Sequence, residues 1–310
     1  MVNFQSLPVV EPSGVLLDKA FGRARKKGVA ISSTSNSRTD KALLKKKVAY
    51  ERVMVAKKNL IKDLDRIIQA FPDFNGLPEF YEQLALTQLD LDDVRQALGR
   101  LQGAIRQLNT FASETQARIR TIHEPEMVAK AVLSYYGRIS SLIKRLDPSF
   151  KLLERTRKVL TTFPHVKTDL FTVALAGFPN VGKSTLLSKL TPAKPQIADY
   201  AFTTKTLNIG YFKDGFEKVQ VIDTPGTLAR FEKMNAVEKQ AYLCLRYVAD
   251  LIVMVFVPVD EQAQEDQFRL LKELKDHDKQ LIIYLSKKDI CSDDRFKEVS
   301  SSFDDPLSDV

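Results

Sequence analysis

The sequence predicts an all-α helical bundle followed by an α/β domain whose mostly parallel sheet carries helices on both faces. Three observations predict it. Apolar residues recur at helical spacing through residues 60–146. The character changes at Phe163-Pro164, where continuous apolar runs replace the stripes. From there short apolar runs alternate with helical patterns, as strands and crossover helices do in a parallel sheet. The boundary is placed so that residues 1–165 form the bundle and residues 166–310 the α/β domain.

Taken in order, residues 22–40 (GRARKKGVAISSTSNSRTD) are rich in Gly, Ser and basic residues with little periodicity, and read as a loop or as a segment that orders on binding. Leu60, Ile61, Leu64, Ile67, Ile68 and Phe71 then form a helical stripe ended by Pro72. Val94, Leu98, Leu101, Ile105 and Leu108 form a second. Val132, Tyr136, Ile139, Ile143 and Leu146 form a third, stopped by Asp147-Pro148. Each stripe needs a neighbour to cover it, which an antiparallel bundle supplies. Beyond the boundary, Phe171–Ala176 reads as a strand buried on both faces, followed by a glycine-bracketed loop and a helix from Lys183 to Leu190. Leu207–Phe212 and Val219–Ile222 read as a hairpin turning at Asp214-Gly215. Leu251–Val257 and Leu281–Leu285 are further strands, with helices at Gln264–Asp276 and near Arg295–Ser300.

The formal net charge of +8 is concentrated. Lys19 to Lys58 holds thirteen Lys or Arg and two acids, Asp40 and Glu51, which suggests either a polyanionic partner such as RNA or a solvated stretch. The longest apolar run, Leu251–Val257, is far short of a membrane helix. The N-terminus shows no signal-peptide pattern. Cys244 and Cys291 make no disulfide framework and fit a reducing cytosol, and His123, His165 and His277 have no metal-ligand spacing.

Four motifs carry the chemistry. Gly177-Phe178-Pro179-Asn180-Val181-Gly182-Lys183-Ser184, continued by Thr185, lies between a strand and a helix. That is the context of a phosphate-binding P-loop, whose backbone N–H groups cradle phosphate while Lys183 reaches the β- and γ-phosphates and Ser184 reaches Mg²⁺. Asp223-Thr224-Pro225-Gly226 follows a strand; Asp223 can hold Mg²⁺ through water, and the Gly226 N–H can reach a γ-phosphate. In Phe202-Thr203-Thr204-Lys205 either threonine could complete the Mg²⁺ shell, with Thr204 preferred. In Ser286-Lys287-Lys288-Asp289 the Asp289 carboxylate can accept the guanine N1–H and 2-amino protons, and Lys287 can lay its stem along the base. Ser286 stands where Asn is usual, which is expected to weaken base affinity. Together these predict a GTP/GDP site with Mg²⁺. Asp289 argues against an ATPase or kinase.

The motifs GFPNVGKST, FTTKT, DTPG and SKKD, in that order, resemble the Obg-like branch of the translation-factor-class GTPases. Tyr200–Lys205, the segment Met234–Gln240, and Leu7-Pro8-Val9-Val10 with Leu16-Leu17-Asp18 narrow the resemblance to the nucleolar GTP-binding (Nog) proteins and their archaeal relatives. Leu146-Asp147-Pro148 and the helix leading out of it are similar too. The resemblance implies a GTPase switch in large ribosomal subunit assembly, with rRNA, ribosomal proteins and subunit precursors as partners and no membrane. It implies a monomer when free, placed in the cytoplasm in a short archaeal type and in the nucleolus in a eukaryote. An rRNA-binding placeholder that holds GTP as a structural ligand is the alternative. Thr227 stands where Ras-like proteins carry a water-positioning Gln, so a slow intrinsic rate is expected. Asn180 either ligates K⁺, as in potassium-stimulated GTPases with a similar loop, or bonds its own backbone. Ser300-Ser301-Ser302 falls too early for a guanine-lining motif, so the chain is expected either to be truncated before it or to complete the base pocket differently.

Overall fold

The computed structural model describes residues 4–33, 41–191, 196–197, 207–224, 236–258, 261–275 and 279–303. Phe202, Thr203, Thr204, Gly226, Thr227 and His277 lie outside the described residues. Two compact units emerge, one of residues 2–74 with 88–161, the other of residues 75–87 with 162 onward.

The first unit is helical: α1 (Ser13–Ser33) and α2 (Lys41–Ala70) precede α3 (Glu79–Gln88), which belongs to the second unit, and α4 (Leu91–Thr121), α5 (Pro125–Lys144) and α6 (Asp147–Leu160) complete the bundle. The predicted stripes form its core, with Leu60, Leu64, Leu101, Leu108, Ile139 and Ile143 fully buried. Within the third stripe one position differs. Tyr135 is the buried ring, while Tyr136 packs on Phe21 with 4.5 Å between ring centroids.

One expectation is overturned here. Residues 22–33 continue α1 as helix rather than forming a loop. Their helical signal is carried by small residues, since Leu16, Ala20, Ala24 and Gly28 are buried at four-residue spacing. Small side chains bring α1 close to α2: a Cβ on Gly28 would lie 2.4 Å from Arg52 Nε. Asp147-Pro148 does stop the third stripe, since α5 ends at Lys144 and α6 begins at Asp147. Pro148 sits in the first turn of α6, where its missing N–H costs nothing. The Asp147 carboxylate accepts the Ser13 backbone N–H at 3.1 Å and the Ser13 hydroxyl at 2.8 Å, joining the starts of α1 and α6. Asp90 caps α4 by accepting the N–H groups of Asp92 and Asp93.

The second unit holds β1 (Thr172–Ala176), α7 (Lys183–Leu190), β2 (Gln196–Ile197), β3 (Asn208–Asp214), β4 (Glu217–Asp223), α8 (Ala236–Tyr247), β5 (Leu251–Phe256), α9 (Glu261–Lys275), β6 (Gln280–Leu285) and α10 (Asp293–Ser300). The sheet order is β2-β3-β4-β1-β5-β6. β4, β1, β5 and β6 run parallel, and β2 and β3 are antiparallel to their neighbours. Alternation along β1 sorts the core into two layers. Ala174 and Ala176 face Leu245 of α8, Leu270 and Leu274 of α9 and Val299 of α10. Val173 and Leu175 face Leu186 and Leu187 of α7. Helices therefore cover both faces of a mostly parallel sheet, as predicted. α3 is held by Tyr81, whose buried hydroxyl accepts the Val166 N–H at 3.0 Å and lies 2.9 Å from the carbonyl of Pro164. Burial pushes that hydroxyl well above its usual range, so it remains a protonated donor.

Candidate functional site

The site is built where β1 ends and α7 begins. Gly177 has φ of 143°, and a Cβ there would meet the Val255 carbonyl oxygen at 2.5 Å. Only glycine fits this turn. Gly182, at φ of 105°, turns the chain into α7, and Asn180, at φ of 62°, occupies the left-handed region that Asn tolerates. The loop thus curls back on itself. Lys183 Nζ donates to the carbonyls of Gly177 at 2.9 Å and Phe178 at 2.7 Å. Only 7% of the lysine is exposed. Burial pushes its pKa down, and the Asp223 carboxylate pulls in the opposite direction. Val181 is buried under the loop, whereas Ser184 and Thr185 are exposed on the first turn of α7.

Asp223 closes β4 beside β1, in register with Leu175. Its Oδ2 accepts the Ser184 hydroxyl at 2.5 Å and the Asn208 side-chain amide at 3.2 Å. Its Oδ1 is buried with no hydrogen-bond partner among the described residues. Thr224 donates its N–H at 3.1 Å and its hydroxyl at 2.8 Å to the Leu175 carbonyl, which fixes the strand end. A serine hydroxyl and a carboxylate with one unshared buried oxygen are the hard donors Mg²⁺ takes, so these residues fit the ion. Among the described residues no group of three or more His, Cys, Asp or Glu could hold a metal. A Mg²⁺ here would complete its shell with water and ligand oxygens.

Ser286, at the end of β6, meets the loop from below. Its N–H donates to the Phe256 carbonyl at 2.9 Å and its hydroxyl to the Val181 carbonyl at 2.6 Å. The serine therefore serves the phosphate loop through its hydroxyl. Lys287 follows in the left-handed region at φ of 58°, and Asp289 sits on the short turn Lys288–Ile290. Both are exposed. Of the predicted set, Lys183, Ser184, Asp223 and Ser286 are thus bonded to or beside one loop.

Sequence reasoning missed Asn208 and Thr224. Asn208 was findable: the two-residue turn Gly215-Phe216 sets a register in which Asn208 faces Asp223. Thr224 carried no signal beyond its place in the Asp-x-x-Gly motif.

Residues 4–167 match the family described as "NOG1 N-terminal helical domain". The chain belongs to the NOG1 family. Residues 172–287 match the domain family described as "50S ribosome-binding GTPase". Among curated relatives, "Uncharacterized protein MJ1408" of Methanocaldococcus jannaschii is 31% identical over 300 residues, covering 95% of this chain and 83% of that protein. "Nucleolar GTP-binding protein 1" of Drosophila melanogaster is 30% identical, covering 96% of this chain and 46% of that protein. Its Saccharomyces cerevisiae counterpart is 26% identical, covering 93% of this chain and 45% of that protein. The chain spans about half the length of the NOG1 proteins of fly and yeast. Among the described residues no helix is long and apolar enough to cross a membrane.

Proposed function

We propose that this NOG1-family chain binds GTP with Mg²⁺, hydrolyses it slowly, and acts as a switch in large ribosomal subunit assembly while bound to rRNA. One observation carries the nucleotide half: a buried Lys183 arched over a glycine-turned loop, beside a Ser184–Asp223 pair with an unshared carboxylate oxygen. Lys183 would exchange its two carbonyl partners for phosphate oxygens, whose negative charge offsets its own more fully than neutral carbonyls do. The loop N–H groups would hold the same phosphates. When bound through Ser184 and Asp223, Mg²⁺ supplies neutralisation of charge developing on the transferred phosphoryl group. We assign Thr204 and Gly226 to the γ-phosphate side, and Lys287 and Asp289 to guanine.

The ribosomal half is supported by the family match, by the names of the fly and yeast relatives, and by the basic helices α1 and α2. We place the working protein in the cytoplasm of an archaeal-type source and in the nucleolus of a eukaryotic one, monomeric when free. The second reading, GTP as a structural ligand on an rRNA-bound placeholder, draws support from Ser286. Its hydroxyl ties the base-side strand to the phosphate loop, an arrangement suited to holding nucleotide.

Single-turnover GTP hydrolysis with and without purified large ribosomal subunits separates the two. Stimulation by the subunits is expected, and tight binding with no stimulated turnover would establish the placeholder instead. Running the assay in KCl and in NaCl tests Asn180, which is exposed and makes no side-chain hydrogen bond among the described residues. Equal rates in the two salts would remove K⁺ from the reading.

A further inference from the structure

A groove of about 680 Å³ runs along the helical unit between α2 and α5. Its walls are two helical stripes. On α2 they are Lys41, Leu44, Lys45, Val48, Ala49 and Arg52, spaced at three and four residues over three turns. On α5 they include Pro125, Ala129, Val132, Leu133 and Tyr136, spaced the same way. Leu133 is 72% exposed, an unusual position for leucine on a helix whose other apolar face is already packed in the core. The charges are one-sided: Lys41, Lys45 and Arg52 line the groove against a single acid, Glu126. Arg52 Nε is buried and has no hydrogen-bond partner among the described residues. Arg25 and Arg52 both lie near the Tyr136 hydroxyl, and their charge opposes the upward push that burial gives it.

We propose that this groove docks an amphipathic helix of a partner protein, with aliphatic residues on one face and Asp or Glu flanking them. Lys41, Lys45 and Arg52 give the groove a positive lining, and carboxylates on an incoming helix would pair with it. The apolar walls then take the aliphatic face, the mode by which helices lie in grooves. Three turns of wall, about 16 Å, match a short helix of about eleven residues. The walls disfavour RNA as the occupant. Aliphatic side chains offer bases no stacking platform, and the one lining ring, Tyr136, is already packed on Phe21. This proposal stands independently of the nucleotide site.

The test is selection of displayed random peptides of about 16 residues on the full chain, with counter-selection on Leu133→Glu. Ala129→Arg provides a second exposed substitution, and thermal melts confirm that both variants fold. Expected are peptides with aliphatic residues at i and i+4 plus acidic residues, whose binding weakens at least about tenfold with either variant and with Arg52→Gln. No enrichment, or enriched peptides indifferent to these substitutions or free of acids, would overturn it. So would a short RNA hairpin that displaces the peptide, or a dimer in sedimentation that Leu133→Glu dissociates.

Discussion

At the residue scale, Ser286 changes the meaning of its own motif. A side chain chosen for base contacts would point at a ligand, but this hydroxyl is spent inside the protein, on the Val181 carbonyl. The loop and the base-side strand are therefore one mechanical piece. Ser286→Ala would leave the Val181 carbonyl without that donor, at about 1–1.5 kcal/mol. We expect GDP affinity to fall about fivefold to tenfold by calorimetry together with a small loss of thermal stability, and unchanged affinity would show that the tether is idle. The placement of Lys183 and Asp223 beside one loop was legible from motif spacing alone. The inward role of Ser286 was not. Sequence names a hydroxyl but not the carbonyl it will find.

At the element scale, the helical unit is tied at its start by polar side chains. Glu154 of α6 accepts the Val10 N–H at 3.0 Å and a two-point contact from Arg157 at 2.8 and 2.7 Å. The Arg157 hydrogen bonds lower the Glu154 pKa, against the opposing effect of burial. A carboxyl held below its unfolded value adds stability above that value and loses it as pH falls through the folded one. Both side chains are part-buried at the surface, and residual solvent screening holds the contribution to about 1 kcal/mol. The melting temperature should therefore drop as pH falls from about 6 to about 3, and less steeply in Glu154→Gln. Equal slopes would show that the contact carries no pH-dependent stability. Element recognition failed where side chains are small. The α2, α4 and α5 stripes are made of Leu, Ile and Val and were visible, whereas the second half of α1 packs through Ala24 and Gly28, which resemble loop composition. The sheet was clearer, since runs such as Thr172–Ala176 are buried on both faces and read as unbroken apolar segments.

At the scale of the whole molecule, charge is the property that no single element displays. The +8 arises mainly from α1, the following segment and the first half of α2. If that region contacts rRNA phosphates, charge reversal at Lys45, Lys46 and Lys47 should weaken binding at all RNA sequences alike. It should also flatten the dependence of log Kd on log salt by roughly 0.7–0.9 for each contact removed. Filter binding across a salt series measures both, and an unchanged slope would mark the lysines as merely solvated. The sequence exposed this asymmetry fully, because counting needs no fold. It could not show that Lys45, Lys46 and Lys47 ride on a packed helix, which fixes their spacing.

The hairpin register reaches further than its length suggests. Asn208 faces Asp223 because each pair is counted from the Gly215-Phe216 turn, about 20 Å away along the strands. One residue inserted at that turn would slide every pairing and turn the amide away from the carboxylate. A lesion at an exposed tip, with Phe216 open to solvent and far from any phosphate, would then be scored in a genetic screen as a defect of the phosphate loop.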